Sequence, residues 1–210
     1  METRDLILGR IRKSIEKRQG KEIEKPDFSS PVKPTIDKPL IEKFTEEFAE
    51  NSGQIFLYNN TKELISQLNE FLSDNKIEKL HCIDAEIQSL LTGSNILFTS
   101  EEKEFYNMEA GITNCEFLIA RTGSVMVSSA QVSGRAMNVF PPCHIVFAQK
   151  SQLVQEIGDA IYAIQAKYKE NLPSMISVIT GPSRTADIEK TLVMGAHGPK
   201  QLIVFIDLNN

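Results

Sequence analysis

The sequence predicts an α/β fold in which helices cover both faces of a mostly parallel central sheet, giving three layers. From about residue 40 onward, short apolar runs of β type alternate with segments whose apolar residues recur at the helical period. The 210-residue chain is 41% hydrophobic, which is enough for one substantial core. We therefore predict an N-terminal helix and Pro-rich linker over residues 1–39 and an α/β domain over residues 40–210.

The N-terminal segment begins with a predicted helix over residues 4–18, with Leu8, Ile11 and Ile15 on one stripe among basic side chains. A single short amphipathic helix is marginal without packing, so it either docks on a partner or is a mobile extension. Residues 19–39 are polar and contain four prolines, which is typical of a linker.

The first half of the domain shows the αβ alternation most clearly. Its helices carry apolar residues at helical spacing, and its strands are short apolar runs bounded by polar turns. The predicted helices cover residues 40–50 and 61–73, and the predicted strands cover residues 54–58, 79–83 and 95–99. Parallel βαβ units are the arrangement that this alternation favours.

The second half begins with two strands so close together that they predict a hairpin, Cys115–Arg121 and Ser124–Ser128, joined by Thr122-Gly123. Further along the chain, a strand, a long helix and a final strand are predicted over residues 144–148, 152–168 and 201–208.

Between these last two elements we predict a strand over Met175–Thr180, ended by Gly181-Pro182, and then a helix that ends near Gly195. Ser183 or Thr185 would cap this helix, with acidic residues in its first turn. Free amides at such a joint can bind a ligand, or the hydroxyls can serve only as caps.

An anion-accepting pocket is predicted where two loops converge at one edge of the sheet, because loops that follow parallel strands meet on one side. Glycines would let the backbone approach a ligand, and hydroxyls and a guanidinium would donate hydrogen bonds to it. The candidate ligand-binding residues are Thr122, Gly123, Ser124, Gly181, Ser183, Arg184 and Thr185.

Of the three histidines, His81 and His144 lie at predicted strand starts, where a hydrogen-bonded structural role is typical. His197 lies in a loop near the rim of the predicted pocket and is the candidate general acid or base. The small and hydroxylated residues of Gly111–Glu116 either hold an anion at a strand end or only shape turns.

Charge and cysteine usage exclude several function classes. A net charge of −5 gives no basic field for nucleic acid, and no apolar run approaches the roughly 20 residues of a membrane span. Without a signal-peptide pattern, we expect a cytoplasmic protein. Cys82, Cys115 and Cys143 are far apart, and no metal-ligand spacing occurs, so neither a disulfide framework nor a metal site is predicted.

Four segments together resemble the LUD-domain family of lactate utilisation protein C. They are Thr122-Gly123-Ser124, Pro141-Pro142-Cys143-His144-Ile145-Val146, Gly181-Pro182-Ser183-Arg184-Thr185-Ala186-Asp187-Ile188-Glu189 and Gly195-Ala196-His197-Gly198-Pro199-Lys200. The last two, in this order and spacing, are highly specific. The resemblance covers roughly residues 40–208, and it departs from the family pattern at Arg121, where members often carry an acid.

This resemblance implies an α/β/α fold of the kind shared by ribose-5-phosphate isomerase, glucosamine-6-phosphate deaminase and CoA transferases. It also implies a part in the oxidation of L-lactate to pyruvate together with iron-sulfur partner proteins, which would carry the clusters, with no cofactor on this chain. The resemblance does not decide whether this component is itself catalytic. The alternative is a stand-alone enzyme or binding module for a small anionic metabolite, such as a sugar phosphate, CoA ester or carboxylate.

Overall fold

The computed structural model describes residues 3–18, 34–188 and 191–209. Contacts divide the chain into two units, Met1–Thr35 and Ile36–Asn210. Helix α1 (Thr3–Arg18) lies in the first unit, as the sequence predicts, and its large apolar side chains are exposed. Most of the predicted linker, residues 19–33, lies outside the described residues.

The second unit contains the remaining helices and all the strands that are described. The helices are α2 (Leu40–Glu50), α3 (Thr61–Asp74), α4 (Ala85–Gly93) and α5 (Ile157–Tyr168). The strands are β1 (Gln54–Tyr58), β2 (Leu80–Cys82), β3 (Ala110–Asn114), β4 (Phe117–Ile119), β5 (Ser124–Ser128), β6 (Cys143–Gln149), β7 (Leu153–Val154), β8 (Ile176–Ile179), β9 (Arg184–Ile188), β10 (Thr191–Met194) and β11 (Gln201–Asp207).

The main sheet has five strands in the order β1-β11-β6-β3-β2, and every neighbouring pair in it is parallel. Its central strands β6 and β11 are almost continuously apolar and buried, as expected for strands covered on both faces. The predicted three-layer α/β fold with a mostly parallel sheet is confirmed.

One face of the main sheet is covered by α3 and α4. Both helices begin at a side-chain cap: Asn60 accepts from the Glu63 amide, and Asp84 accepts from the amides of Glu86 and Ile87. Their apolar faces and this face of the sheet form one core cluster, whose fully buried members include Leu68, Leu91, Ala110, Ile112, Ile145 and Phe205.

The opposite face is covered by α2 and by a second sheet with the order β7-β4-β5-β8. The predicted hairpin of β4 and β5 forms the antiparallel centre of this sheet. Helix α5 packs on its outer side through Ala160 and Ile164, which contact Ile119 and Met126. This second sheet was not predicted as a layer, because the sequence analysis predicted only helices on the two faces of the main sheet.

The predicted strand over residues 95–99 is wrong. Only a single bridge joins His81 to Thr99 there, and Leu97 is 85% exposed. The place in the main sheet is taken by β3 (Ala110–Asn114), part of which the sequence analysis assigned to a strand end or a turn. Its small residues are needed for packing, because a Cβ on Gly111 would lie 2.8 Å from both Met137 and Pro141.

The predicted helix after Gly181 is also wrong, because β9 (Arg184–Ile188) pairs antiparallel with β10 (Thr191–Met194). Backbone amide and carbonyl groups that would form hydrogen bonds within a helix instead bond to other segments here. The Ser183 amide donates to the Pro199 carbonyl at 2.8 Å, and the Ser183 carbonyl accepts from the Gly195 amide at 2.9 Å. Ser183 and Thr185 therefore cap no helix, and Glu189 lies outside the described residues.

Two further boundaries differ from the sequence predictions. Helix α5 begins at Ile157 rather than at residue 152, because a 3-10 turn over Lys150–Gln152 and the short strand β7 come first. Strand β8 forms as predicted but joins the second sheet, where it pairs antiparallel with β5. In the part of the chain that the structure describes, no helix is long and apolar enough to cross a membrane.

Candidate functional site

The two loops of the predicted pocket do meet, through hydroxyl groups. The Ser124 hydroxyl is fully buried and lies 2.7 Å from the Thr122 hydroxyl and 2.8 Å from the Thr180 hydroxyl. The reason given from the sequence was wrong, however. The Thr122–Ser124 turn joins two antiparallel strands and the Gly181 loop follows a third, so neither loop follows a strand of the parallel sheet.

The glycines of both loops lie against the carboxyl end of α2. Gly123 and Gly181 have positive φ angles of 55° and 73°. A Cβ on Gly123 would overlap the backbone of Phe48, and one on Gly181 would overlap the carbonyl of Asn51. In addition, the side-chain amide of Asn51 donates through Nδ2 to the Thr122 carbonyl at 3.2 Å. The close approach permitted by these glycines serves the packing of α2.

Arg184 is held by the turn that follows α2. Its guanidinium donates to the Asn51 carbonyl and, at 2.8 Å, to the Ser52 hydroxyl. Thr185 lies within β9, opposite Val193. The contacts of Arg184 join the β9–β10 hairpin to the α2–β1 turn, and an anion-binding role for Arg184 and Thr185 stays a prediction.

Gly181, Ser183 and His197 line one cavity of about 270 Å³. Most of its other walls are apolar, from Val139, Met175, Val178, Ile179, Pro199 and Leu202. The other predicted ligand-binding residues, Thr122, Gly123, Ser124, Arg184 and Thr185, are outside its lining. We call this space the His197 cavity.

Asn138 adds an amide to the His197 cavity and was missed from the sequence. It is 3% exposed and its Nδ2 donates to the Gly134 carbonyl at 3.0 Å. Within the described residues, its Oδ1 has no hydrogen-bond partner. No sequence pattern indicated Asn138, because it lies on a short 3-10 turn (Ala136–Asn138) that contains no recognisable motif. The cavity thus combines an imidazole, a hydroxyl and an amide with apolar walls.

A second, larger cleft of about 590 Å³ lies at the carboxyl edge of the main sheet. Tyr58, Asp207, Gln149 and Asn114 are the last residues of four neighbouring parallel strands, and all four line it. In open α/β sheets this edge is the usual place for a ligand. We call this space the carboxyl-edge cleft. It shares no lining residue with the His197 cavity.

A buried carboxylate lies beside the carboxyl-edge cleft. Glu116, whose side chain is 0% exposed, accepts from the Ser128 hydroxyl at 2.6 Å, from Lys167 Nζ at 2.8 Å and from the Tyr168 hydroxyl at 2.8 Å. Burial alone would raise the pKa of Glu116, but these three hydrogen bonds outweigh it and lower the pKa below its usual value. Lys167 and Tyr168 also line the cleft, so the carboxylate fixes two of its side chains.

His81 and His144 lie in strands β2 and β6 and are buried, in keeping with the structural roles predicted for them. His144 Nε2 lies 2.8 Å from the Thr113 hydroxyl, and burial lowers the pKa of His144 to about 4. Arg121, where the resembled family often has an acid, forms an ion pair with Glu156 just before α5. The charge reversal at this position is therefore compensated locally.

Burial also governs the three cysteines. It raises the pKa of Cys82 to about 11 and the pKa values of Cys115 and Cys143 to about 12, so the thiols stay protonated at neutral pH. Among residues 3–18, 34–188 and 191–209, no group of three or more His, Cys, Asp or Glu side chains is placed to hold a metal ion.

The family model described as the LUD domain matches residues 41–206. The chain belongs to the LUD domain family. The matched range begins one residue inside α2 and ends at the penultimate residue of β11. It includes both sheets and both sites described above except for Asp207, which follows its last residue.

Among curated relatives of this LUD domain, lactate utilization protein C of Macrococcus caseolyticus is 30% identical over 82% of the chain and 73% of its own length. An uncharacterized protein of Neisseria meningitidis is 35% identical over 56% of the chain and 53% of its own length. Lactate utilization protein C 1 of Bacillus mycoides is 37% identical over 43% of the chain and 40% of its own length. The match therefore spans about half or less of two of these three relatives.

A crystal structure of a DUF162 family protein from Deinococcus radiodurans has the same fold as this LUD domain. It aligns with 82% of this chain and 99% of its own, with a TM-score of 0.59 and 20% identity. Ribose 5-phosphate isomerase A from Methanocaldococcus jannaschii aligns with 61% of this chain at a TM-score of 0.32, which is weak.

Proposed function

We propose that this chain is a component of an L-lactate utilisation system and acts with iron-sulfur partner proteins in the oxidation of L-lactate to pyruvate. The observation that carries the proposal is the 30% identity, over 175 residues, to a relative named lactate utilization protein C. Several further relatives carry the same name.

The site that we assign to this function is the His197 cavity. Its volume of about 270 Å³ is near the lower end of the roughly 300–1,000 Å³ that drug-sized ligands occupy, so a metabolite of a few heavy atoms suits it. Lactate and pyruvate each have a methyl group at one end and oxygen atoms at the other. The methyl group would pack on the apolar walls, for example on Val178 and Ile179, and the oxygen atoms would face the polar side.

The polar lining consists of Ser177, Ser183, His197 and Asn138. The backbone of Ser183 is held in place by hydrogen bonds to Pro199 and Gly195. A hydroxyl and an imidazole N–H can each donate to a carboxylate. In this proposal His197 is the general acid or base nearest to the bound ligand.

We assign the iron-sulfur clusters to the partner proteins. Thiolates are the usual ligands of such clusters, whereas the three thiols of this chain are buried and their pKa values are raised by burial. Cys82, Cys115 and Cys143 are also not grouped with other potential ligands in the described part of the chain. The oxidation of lactate to pyruvate releases two electrons and two protons, and the iron-sulfur partner proteins would have to accept the electrons while this chain helps to hold lactate.

Titration of L-lactate and pyruvate into the purified protein, followed by calorimetry, tests the assignment of the site. We expect saturable binding that is weakened about tenfold or more by Ser183→Ala and by His197→Ala, since each removes a donor to a charged ligand. Ser151→Ala is the matched control, because Ser151 is exposed and outside the cavity. Equal binding by all variants, or none by the wild type with its partner proteins present, would contradict the assignment.

The alternative function, a stand-alone binding module or enzyme for a small anion, shares the ligand class but not the partners. Such a module would bind lactate or a related carboxylate as tightly without iron-sulfur proteins as with them. Affinity purification of the full chain from lactate-grown cells separates the two proposals. Iron-sulfur proteins that co-purify with the wild type support the first.

A further inference from the structure

The carboxyl-edge cleft remains without a role in the proposed function. It is about 590 Å³ in volume and more than twice as large as the His197 cavity. Ends of four parallel strands converge on it, which is the position where ligands bind in open α/β sheets. The side chains that line the cleft determine which class of ligand it can bind.

Carboxylates are prominent among the hydrogen-bond acceptors of the cleft, whose lining also holds glutamine amides and tyrosine hydroxyls. The Asp84 carboxylate is fixed by the amides of Glu86 and Ile87 and by Asn114 Nδ2, which donates to it at 3.0 Å. Because the Asn114 amide nitrogen is used in this way, its carbonyl oxygen is left as an acceptor toward the cleft. Asp207 brings a second carboxylate from the end of β11.

The charge of the cleft is negative. Asp84, Glu86 and Asp207 line it, whereas Lys167 is the one cationic side chain among its lining residues, all of which lie in the described ranges. Lys167 is in addition paired with Glu116. Burial and then the charge of Asp207 raise the pKa of Tyr58 to about 12, so its hydroxyl stays protonated. A ligand with several negative charges would be repelled here.

One wall of the cleft is apolar. Leu64 and Ile87 are buried at the base of α3 and α4, and Leu90, Phe147 and Val132 complete this wall. It can pack against a planar or hydrocarbon part of a ligand. The lining of the cleft therefore combines hydrogen-bond acceptors with apolar side chains.

We propose that the carboxyl-edge cleft binds an uncharged, polyhydroxylated small molecule of nucleoside size. The hydroxyls of this ligand donate to Asp207, Asp84 and Asn114. Its ring packs on the apolar side chains that include Ile87 and Phe147. Neighbouring hydroxyls suit this arrangement because carboxylates accept two or more hydrogen bonds at once. The Glu116 cluster fixes Lys167 and Tyr168 at the rim, where the Tyr168 oxygen, whose proton is donated to Glu116, accepts from the ligand. A free pentose and the ribose of a nucleoside share this chemistry.

Calorimetric titration of the full chain with adenosine, D-ribose, AMP and L-lactate tests the proposal. We expect adenosine to bind, AMP to bind at least about tenfold more weakly because of its phosphate charge, and L-lactate to leave the heat of adenosine binding unchanged. Binding of D-ribose as tight as that of adenosine would identify a free sugar as the source of the hydroxyls, whereas much weaker binding would identify a nucleoside.

Asp207→Asn and Glu86→Gln keep the shape of each side chain and remove its charge. We expect Asp207→Asn to weaken adenosine binding about tenfold or more, since a hydrogen bond to a charged acceptor is lost. Glu102→Gln is the control, because Glu102 is exposed and outside the cleft. Thermal unfolding identifies any variant that fails to fold. If Asp207→Asn fails to fold, Glu86→Gln on the exposed first turn of α4 is the test, and we expect it to bring the affinity for AMP closer to that for adenosine, because it removes one negative charge from the cleft.

Three outcomes would overturn the proposal: no saturable binding of adenosine or D-ribose at millimolar concentration, equal binding by the wild type and by both variants, or tighter binding of AMP than of adenosine. Because the His197 cavity shares no lining residue with the cleft, Ser183→Ala should leave adenosine binding unchanged. Loss of lactate binding and loss of adenosine binding therefore report on different sites.

Discussion

The Ser124 hydroxyl lies 2.8 Å from the Thr180 hydroxyl, and this contact joins the turn between β4 and β5 to the end of β8. Ser124 is fully buried and also lies 2.7 Å from the Thr122 hydroxyl. The two loops that the sequence predicts to form a ligand site are thus joined to each other by hydroxyl groups. The contribution of this hydroxyl contact to the free energy of unfolding can be measured without any ligand.

Ser124→Ala removes the central hydroxyl of this contact. We expect the free energy of unfolding to fall by about 1 kcal/mol, because the hydroxyls of Thr122 and Thr180 lose a partner. Urea denaturation of the variant and of the control Ser151→Ala measures the difference. No change in Ser124→Ala relative to the control would show that the contact contributes nothing to stability.

Gly181→Ala should destabilise the protein by more than the cost of a positive φ angle alone. Gly181 and Gly134 both have positive φ, but a Cβ on Gly181 would overlap the Asn51 carbonyl, whereas nothing lies within 4 Å of a Cβ on Gly134. We expect a loss of about 1 kcal/mol for Gly134→Ala and of about 3 kcal/mol or more for Gly181→Ala. Chemical denaturation compares them, and equal losses would contradict the close packing of Gly181 on α2.

Arg184→Ala should reduce stability even without a ligand. The side chain donates to the Asn51 carbonyl and the Ser52 hydroxyl, so its removal costs about 0.5–1.5 kcal/mol despite its exposure. Ser52→Ala removes one of the two acceptors and should cost less. If denaturation shows both variants unchanged while lactate affinity falls in Arg184→Ala, the earlier prediction of an anion-binding arginine is supported instead.

The protein should lose stability as the pH falls below about 6.5, because His144 is buried in its neutral form. Burial lowers the pKa of His144 to about 4, compared with about 6.5 in the unfolded chain, so the unfolded state binds the proton first. The contribution of His144 is fully present above pH 6.5 and is lost as the pH falls from about 6.5 toward 4. We expect a loss of about 1–2 kcal/mol by pH 5. Chemical denaturation at pH 7 and 5, with NMR of the imidazole, measures it; a protonated His144 in the folded protein at pH 5.5 would refute it.

The ionisation of Glu116 should affect stability at a lower pH than the protonation of His144 does. Its pKa is lowered in the folded state, so its contribution is present above the unfolded value of about 4.3 and is lost as the pH falls through the folded pKa. Glu116→Gln, which leaves Lys167 without its buried partner, should reduce stability at pH 7 and reduce it less at pH 3. A stability difference that does not shrink on acidification would contradict an ionised Glu116.

The sequence predicted those elements whose pattern is local. Strands β6 and β11 are continuous apolar runs, and α3 places Leu64, Leu68 and Phe71 at helical spacing, so each was found. Strand β3 was missed because Gly111 and Asn114 are typical of turns, although the buried position of β3 between β6 and β2 leaves no room for a side chain at Gly111. Only the structure shows that position.

The segment after Gly181 was assigned wrongly for a related reason. Hydroxyl and acidic residues at Ser183, Thr185 and Asp187 are typical of a helix start, but β9 (Arg184–Ile188) instead pairs with Thr191–Met194. Tertiary pairing outweighed the local preference. The Gly181, Ser183 and His197 part of the candidate site was nevertheless brought together by the fold.

The Glu116 cluster could not be predicted from the sequence. Ser128, Lys167 and Tyr168 lie 12, 51 and 52 positions away from Glu116, so no spacing rule connects them. Their convergence depends on α5 packing across the second sheet, which the sequence analysis did not include. Sequence patterns therefore singled out Gly111–Glu116 as an anion site or a pair of turns, but predicted neither β3 nor the side chains that surround its end.

Growth on L-lactate tests the central claim most directly. A strain that lacks this gene is grown with L-lactate or with a control carbon source, and is complemented with the wild type, His197→Ala or Ser151→Ala. We predict a growth defect on L-lactate alone, restored by the wild type and by Ser151→Ala but not by His197→Ala. Growth of the deletion strain on L-lactate at the rate of its parent would contradict a part in lactate utilisation.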